Sequence, residues 1–227
     1  MHRQASEALA AACEAERVAR VIHISALGAG SGVPGRFMAS KLAAEQTFAR
    51  HTVDYAIVRP GLLVDANCPG TRLFRALARL PVIALPGLRH PGASPVVPIQ
   101  VADVARYVVR IAEHPKALCR VIELAGTQAM TYRAMLGGWR AAQGHGKALW
   151  LPVPWWLMKL GARLAQLLPQ KVLSLDTLRM LQSGSVPQAN ELGRWLGREP
   201  LPALALPAPR VPQGVASIGG CPPPHLG

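Results

Sequence analysis

Acidic residues are scarce in this chain: 12 Asp and Glu stand against 25 Lys and Arg in 227 residues, a formal charge of +13. The basic residues, 20 Arg and 5 Lys, are scattered from Arg3 to Arg210 with no run of three. That scatter excludes the concentrated basic patch of a nucleic-acid binder and leaves a charged, solvated surface. No apolar run approaches the roughly 20 residues a membrane-crossing helix needs. The most tempting stretch, 151–168, is broken by Pro152, Pro154, Lys159 and Arg163. The opening residues lack the order of a secretion signal, so a cytoplasmic location is expected. Cys13, Cys68, Cys119 and Cys221 form neither a CxxC pair nor a dense pattern, which predicts reduced thiols and no metal centre. Glycine is missing altogether from the residues before Arg20.

What is present is enough apolar material, 50% of the chain, to fill one ordinary core and a smaller lobe. The pattern predicts a helix over 5–17, a β-branched buried strand over 20–25, a helix over 37–50 and a strand over 55–58 stopped by Arg59-Pro60-Gly61. Strand, helix and strand in about 40 residues make a βαβ unit, hence parallel strands with helices packed on the sheet. A helix over 71–80 and a Pro- and Gly-rich loop over 85–97 follow. Asp103 is expected to cap a helix whose Val104, Val108 and Ile111 face the core, 121–124 is a third strand, and Thr131 caps a helix to about 142. After Gly146 an apolar stripe of Leu157, Leu160, Leu164 and Leu167 points to a helical lobe, with shorter helices over 173–181 and 190–196. Residues 206–227 cannot bury a core and should be disordered. The expected fold is therefore α/β, a partial Rossmann-like parallel sheet corresponding to the C-terminal half of such a fold (1–126), a small helical C-terminal lobe (127–205) and a tail (206–227).

In an open parallel sheet the ligand lies beyond the carboxyl ends of the strands, where Ser25, Arg59-Pro60-Gly61 and Ala125-Gly126 stand. Four blocks occur in order: Val21-Ile-His-Ile-Ser25-Ala-Leu-Gly28, Phe37-Met-Ala-Ser40-Lys41-Leu-Ala-Ala-Glu45, Asp54-Tyr-Ala-Ile-Val-Arg59-Pro60-Gly61 and Pro98-Ile-Gln-Val-Ala-Asp103-Val-Ala105. Together they resemble the extended or atypical short-chain dehydrogenases/reductases, within them the NAD(P)-binding epimerase/dehydratase-like branch that includes the nucleotide-binding accessory subunit of respiratory complex I. The resemblance implies NAD or NADP as cofactor and a small-molecule substrate. It gives Ser25 the role of holding a substrate oxygen, Lys41 that of holding the nicotinamide ribose, and sets Pro60, Gly61 and Leu62 beside the nicotinamide amide. The family's proton-transferring tyrosine lies four residues before the lysine, on the same helix face. Phe37 stands in its place and has no proton to transfer.

The family's first strand, its GxxGxxG turn against the pyrophosphate and the ribose selector after it have no counterpart before Arg20. The expectation is a truncated product, with cofactor binding weak or absent and either little activity as an oxidoreductase or epimerase or a silent nucleotide-binding or assembly role. One sheet edge would then be bare unless a protein partner covers it. Gly28-Ala-Gly30-Ser-Gly32 does not supply the missing fingerprint: its third glycine comes one residue early and the next strand ends in Arg59-Pro60. It reads as a flexible loop.

Single residues carry plainer readings. Lys41 by itself would be a solvated helix residue with Glu45 as its surface partner. His23 reads as a hydrogen-bonded core residue, since no second ligand stands at metal spacing. Trp155 and Trp156, beside Lys159 and Arg163, are expected to pack onto the sheet or close a substrate pocket in preference to forming an interfacial membrane helix.

Overall fold

The computed structural model describes residues 2–32, 35–51, 53–86, 95–154, 156–157 and 184–205. Alanine-rich sequence forms α1 (His2–Ala15), and where it gives way to β-branched residues the chain enters β1 (Val21–Ile24). Helix α2 (Arg36–Phe48) crosses to β2 (Tyr55–Pro60), which pairs parallel to β1 in the register Val21 with Tyr55 through Ile24 with Val58. This is the expected βαβ unit.

Beyond β2 come β3 (Leu63–Val64), α3 (Pro69–Arg79), β4 (Val82–Pro86), β5 (Ile99–Gln100), α4 (Val101–Ala112) and β6 (Arg120–Leu124). The last of these adds parallel to the other side of β2, giving a three-stranded sheet in the order β1-β2-β6 with β1 at its edge. Helix α5 (Tyr132–Ala142), capped by the Thr131 hydroxyl accepting from the Ala134 amide at 3.1 Å, leads to β7 (Leu149–Val153) and α6 (Leu192–Leu196).

Two apolar clusters hold these elements together. In the first, Val58 and Ala56 of β2 and Ile122 and Leu124 of β6 pack against Tyr107 and Ile111 of α4 and Leu192 and Leu196 of α6. In the second, Ile83 of β4 packs against Met135, Leu136 and Trp139 of α5 and Ala78 of α3, with Trp150 of β7 beside them. Each fully buried Leu, Ile or Met contributes on the order of 2 kcal/mol. A polar knot closes the amino end of the sheet. The Arg20 Nε donates to Asp54 at 2.6 Å and the guanidinium reaches the carbonyls of Ile111, His114 and Lys116, while the Asp54 carboxylate accepts the Leu118 amide at 2.7 Å.

Several expectations are corrected. The region 127–205 is not helical throughout, because β7 lies in it and pairs parallel to β4 from Val82 with Leu149 to Pro86 with Val153. Both strands contain proline, which a central strand excludes, but a two-stranded sheet has only edges and can place proline on them. Asp103 is not a cap: Gln100 holds that position, and the Asp103 carboxylate, 1% exposed, binds the Arg198 guanidinium and the Leu201 amide. His23 packs on the Phe48 ring at 5.2 Å between centroids, and its buried Nε2 has no hydrogen-bond partner. Trp156 is 67% exposed. The remaining leucines of the 157–167 stripe, the 173–181 helix, Trp155 and the 206–227 tail lie outside the described residues.

Candidate functional site

Ser25 follows β1 directly, its amide donating to the Val58 carbonyl at 2.7 Å. Its hydroxyl turns inward, 5% exposed, and donates to Glu45 Oε1 at 2.5 Å. Glu45 sits on α2 one turn after Lys41, so the two side chains leave the same helix face toward the end of β1. They do not pair with each other. Glu45, 3% exposed, is gripped by Arg59 of β2, whose Nε donates to Oε1 at 2.9 Å and whose Nη2 donates to Oε2 at 2.5 Å. A planar guanidinium suits this two-pronged grip. Arg59 Nη1 also lies 3.9 Å from Glu123 Oε1 on β6, its register partner. The Glu45 hydrogen bond outweighs burial and, with both carboxylates, holds the Arg59 pKa above its ordinary value.

Lys41 Nζ donates to the Ile24 carbonyl at 2.8 Å. Neighbouring residues of a parallel strand direct their carbonyls to opposite sides, and Ser25 already uses the side facing β2. The Lys41 ammonium therefore caps a carbonyl on the outer edge of β1, one peptide away from Ser25. It also lies 5.9 Å from the centroid of the Phe37 ring, which is 44% exposed.

Pro60, Gly61 and Leu62 are tied into the framework. The Pro60 carbonyl accepts the Leu27 amide at 2.9 Å, the Gly61 amide donates to the Leu124 carbonyl at 2.7 Å, and the Leu62 carbonyl accepts the Ile99 amide at 2.9 Å. Gly61 needs its missing side chain: a Cβ there would stand 2.9 Å from the Val97 carbonyl oxygen.

Beside these residues lies a cleft of about 380 Å³, bounded by residues 27–31, Arg59, Pro95, Glu123 and the 184–188 segment. The glycine turn takes part through Gly28 and Gly30, both with positive φ, 95° and 85°. Glu123 anchors the far wall, its Oε2 accepting the Gln188 amide at 2.7 Å. Ser25, Lys41, Pro60, Gly61 and Leu62 are not among the residues that line this cleft. Arg59 joins the two places, touching the cleft with one side and Glu45 with the other. Sequence reading placed Arg59 at a strand end and Glu45 on the surface beside Lys41, gave neither its buried pairing, and passed over Glu123. Their signal was a charge embedded in an apolar run: Ile-Val-Arg59, Leu-Ala-Ala-Glu45 and Val-Ile-Glu123-Leu.

Residues 2–115 match the family model described as NAD(P)H-binding. The chain belongs to that NAD(P)H-binding family. Solved structures agree on the fold. A nucleoside-diphosphate-sugar epimerase from Staphylococcus aureus superposes with a TM-score of 0.69 at 18% identity, over 88% of this chain and 68% of that one. An NADPH-dependent quinone oxidoreductase from Escherichia coli gives 0.69 at 16% identity, over 88% and 70%. UDP-glucose 4-epimerase from Thermotoga maritima gives 0.57 at 15% identity, over 86% and 62%. No curated protein matches the chain in sequence. The fold is thus an α/β, Rossmann-like one shared with NAD(P)-dependent epimerases and reductases. Within it, Ser25 and Lys41 stand at the end of β1, bonded to Glu45 and to the Ile24 carbonyl. Among the described residues no strand, glycine turn and helix in succession precede β1 to receive a pyrophosphate.

Proposed function

We propose that this NAD(P)H-binding chain is an oxidoreductase- or epimerase-like protein with a one-sided nicotinamide site formed by Ser25, Lys41 and the Pro60, Gly61 and Leu62 backbone. A bound NAD(P) would supply hydride chemistry; the chain's own residues hold and orient. The observation that carries the reading is that Ser25 and Lys41 both stand at the end of β1, Ser25 bonded to Glu45 of α2 and Lys41, one turn earlier on α2, to the Ile24 carbonyl. A small carbonyl or hydroxyl substrate would lie in the adjoining cleft between the glycine turn and residues 184–188.

A second reading, a silent nucleotide-binding or assembly protein related to the complex I accessory subunit, is favoured by a specific observation. The single hydroxyl proton of Ser25 is committed to Glu45, and Phe37 has none, so neither residue offers a proton to a substrate oxygen. For the same silent role, a protein partner would lie along the outer edge of β1, where Ile24 is 39% exposed.

Fluorescence titration of NADPH with the full chain tests the first reading. Saturable binding that Lys41→Ala weakens is expected; no binding at any accessible concentration overturns it. Phe37→Tyr then separates the two readings. Turnover of a carbonyl substrate with NADPH in that variant assigns a disarmed enzyme, and cofactor binding without turnover assigns the silent role.

A further inference from the structure

Two charged side chains border the cleft with bonding capacity left over. Arg59 and Glu123 are register partners on β2 and β6, so they leave the same face of the sheet side by side. Arg59 spends Nε and Nη2 on Glu45, and its Nη1 donates to no group among the described residues. Glu123 spends Oε2 on the Gln188 amide at 2.7 Å, and its Oε1 accepts no hydrogen bond among the described residues. Nη1 and Oε1 stand 3.9 Å apart, beyond hydrogen-bond reach, and both side chains keep some exposure, 18% and 19%.

One of these atoms is a donor and the other an acceptor. A single hydroxyl group satisfies both, accepting from Nη1 while donating to Oε1, and an oxygen about 2.8 Å from each fits between atoms 3.9 Å apart. An ether oxygen can only accept. An ammonium can only donate, and would face the guanidinium. A carboxylate would set its charge against Glu123, where one cation, Arg59, already stands between two carboxylates, Glu45 and Glu123. No other charged side chain lines the cleft, and Leu27, Ala29, Pro95 and Val186 supply apolar wall. Its volume of about 380 Å³ is at the small end of the range for small-molecule sites.

We propose that the cleft binds a small neutral compound by one hydroxyl group held between Arg59 and Glu123, and that Glu123 excludes carboxylate and phosphate compounds. The standing of this compound as substrate rests on the nicotinamide reading; its binding does not.

Saturation-transfer NMR of the full chain, titrated separately with cyclohexanol, cyclohexyl methyl ether and cyclohexanecarboxylate in the absence of cofactor, tests this. The alcohol should bind at least about tenfold more tightly than the ether, which forfeits a hydrogen bond to a charged group, and than the carboxylate, which meets a like charge. Glu123→Gln keeps an oxygen for the Gln188 amide and should narrow the preference for alcohol over carboxylate severalfold. Val186→Trp, at a position 51% exposed, should abolish alcohol binding without moving the melting temperature, which keeps the test decisive if the first variant misfolds. Equal affinity for alcohol and ether, carboxylate binding as tight as that of the alcohol, a preference unmoved by Glu123→Gln, alcohol binding unmoved by Val186→Trp, or no binding of any probe overturns the inference. Titration of the same sample with NADPH is read separately. Cofactor binding without the alcohol preference sinks the hydroxyl clamp alone; the alcohol preference without cofactor binding upholds the clamp and sinks the nicotinamide reading alone.

Discussion

The Ser25 hydroxyl donates to Glu45 Oε1 at 2.5 Å, and the same oxygen accepts Arg59 Nε at 2.9 Å. One buried carboxylate thus sets the orientation of a residue on β1 and of another on β2. Removing the hydroxyl leaves Glu45 its arginine; removing the carboxylate charge strands the arginine.

Ser25→Ala should therefore cost only about 1 kcal/mol, and Glu45→Gln about 3 kcal/mol. Urea unfolding of the two variants beside the parent chain measures the difference. Equal costs would mean that Arg59 is satisfied without Glu45.

Asp54 gives a pH dependence at the acid end. Burial pushes its carboxyl upward, but the Leu118 amide, the Arg20 side chain and the Cys119 amide outweigh it and hold the pKa below the usual 3.8. A depressed carboxyl stabilises the fold above its unfolded pKa, and that contribution is lost as pH falls through the folded value. Stability should drop below about pH 3.8, and Asp54→Ala, which leaves Arg20 unpaired, should cost about 3 kcal/mol at neutral pH. Chemical denaturation at neutral and acid pH checks both.

His23 acts in a separate window. Burial lowers its pKa from 6.5, Lys41 lowers it further, and Glu45 opposes them. The folded state holds the ring neutral while the unfolded chain takes up a proton, so stability should fall as pH drops below 6.5 toward the folded value. His23→Phe keeps the stacking on Phe48 and removes the unpartnered Nε2. Its melting temperature should change less between pH 8 and pH 5 than that of the parent chain.

Two glycines should respond in opposite directions. A Cβ at Gly126 would collide with the Pro98 carbonyl oxygen, whereas one at Gly137, inside α5, meets nothing within 4 Å. Gly126→Ala should cost about 1–3 kcal/mol and Gly137→Ala should gain up to about 1 kcal/mol. Thermal melts of the pair read out the sign.

The sheet that carries Ser25 was legible because β1, β2 and β6 are short β-branched runs bounded by breakers, and α2 sits between the first two with ordinary helix formers. The pair β4 and β7 was not, since Pro86 and Pro152 disguise strands that tolerate proline only for want of a third neighbour. Asp103 misled for a related reason. An aspartate three residues into a helix looks like a cap, and only the return of residues 198–201, some 95 positions later, gives it another partner. The site divided in the same way. Ser25 and Lys41 were singled out by their resemblance to a family's motifs, whereas the pairing of Glu45, Arg59 and Glu123 comes from three separate elements meeting.

The bond between Asp103 and residues 198–201 also fixes how far the chain can be shortened from its far end. Gln100 Nε2, next to it, donates to the carbonyls of Pro202 and Ala205 at 3.0 and 3.1 Å. A protease that trims as far as residue 206 cuts none of these links. One that passes Arg198 strips the Asp103 carboxylate of both its partners, so limited digestion should stall at a fragment that still includes this latch.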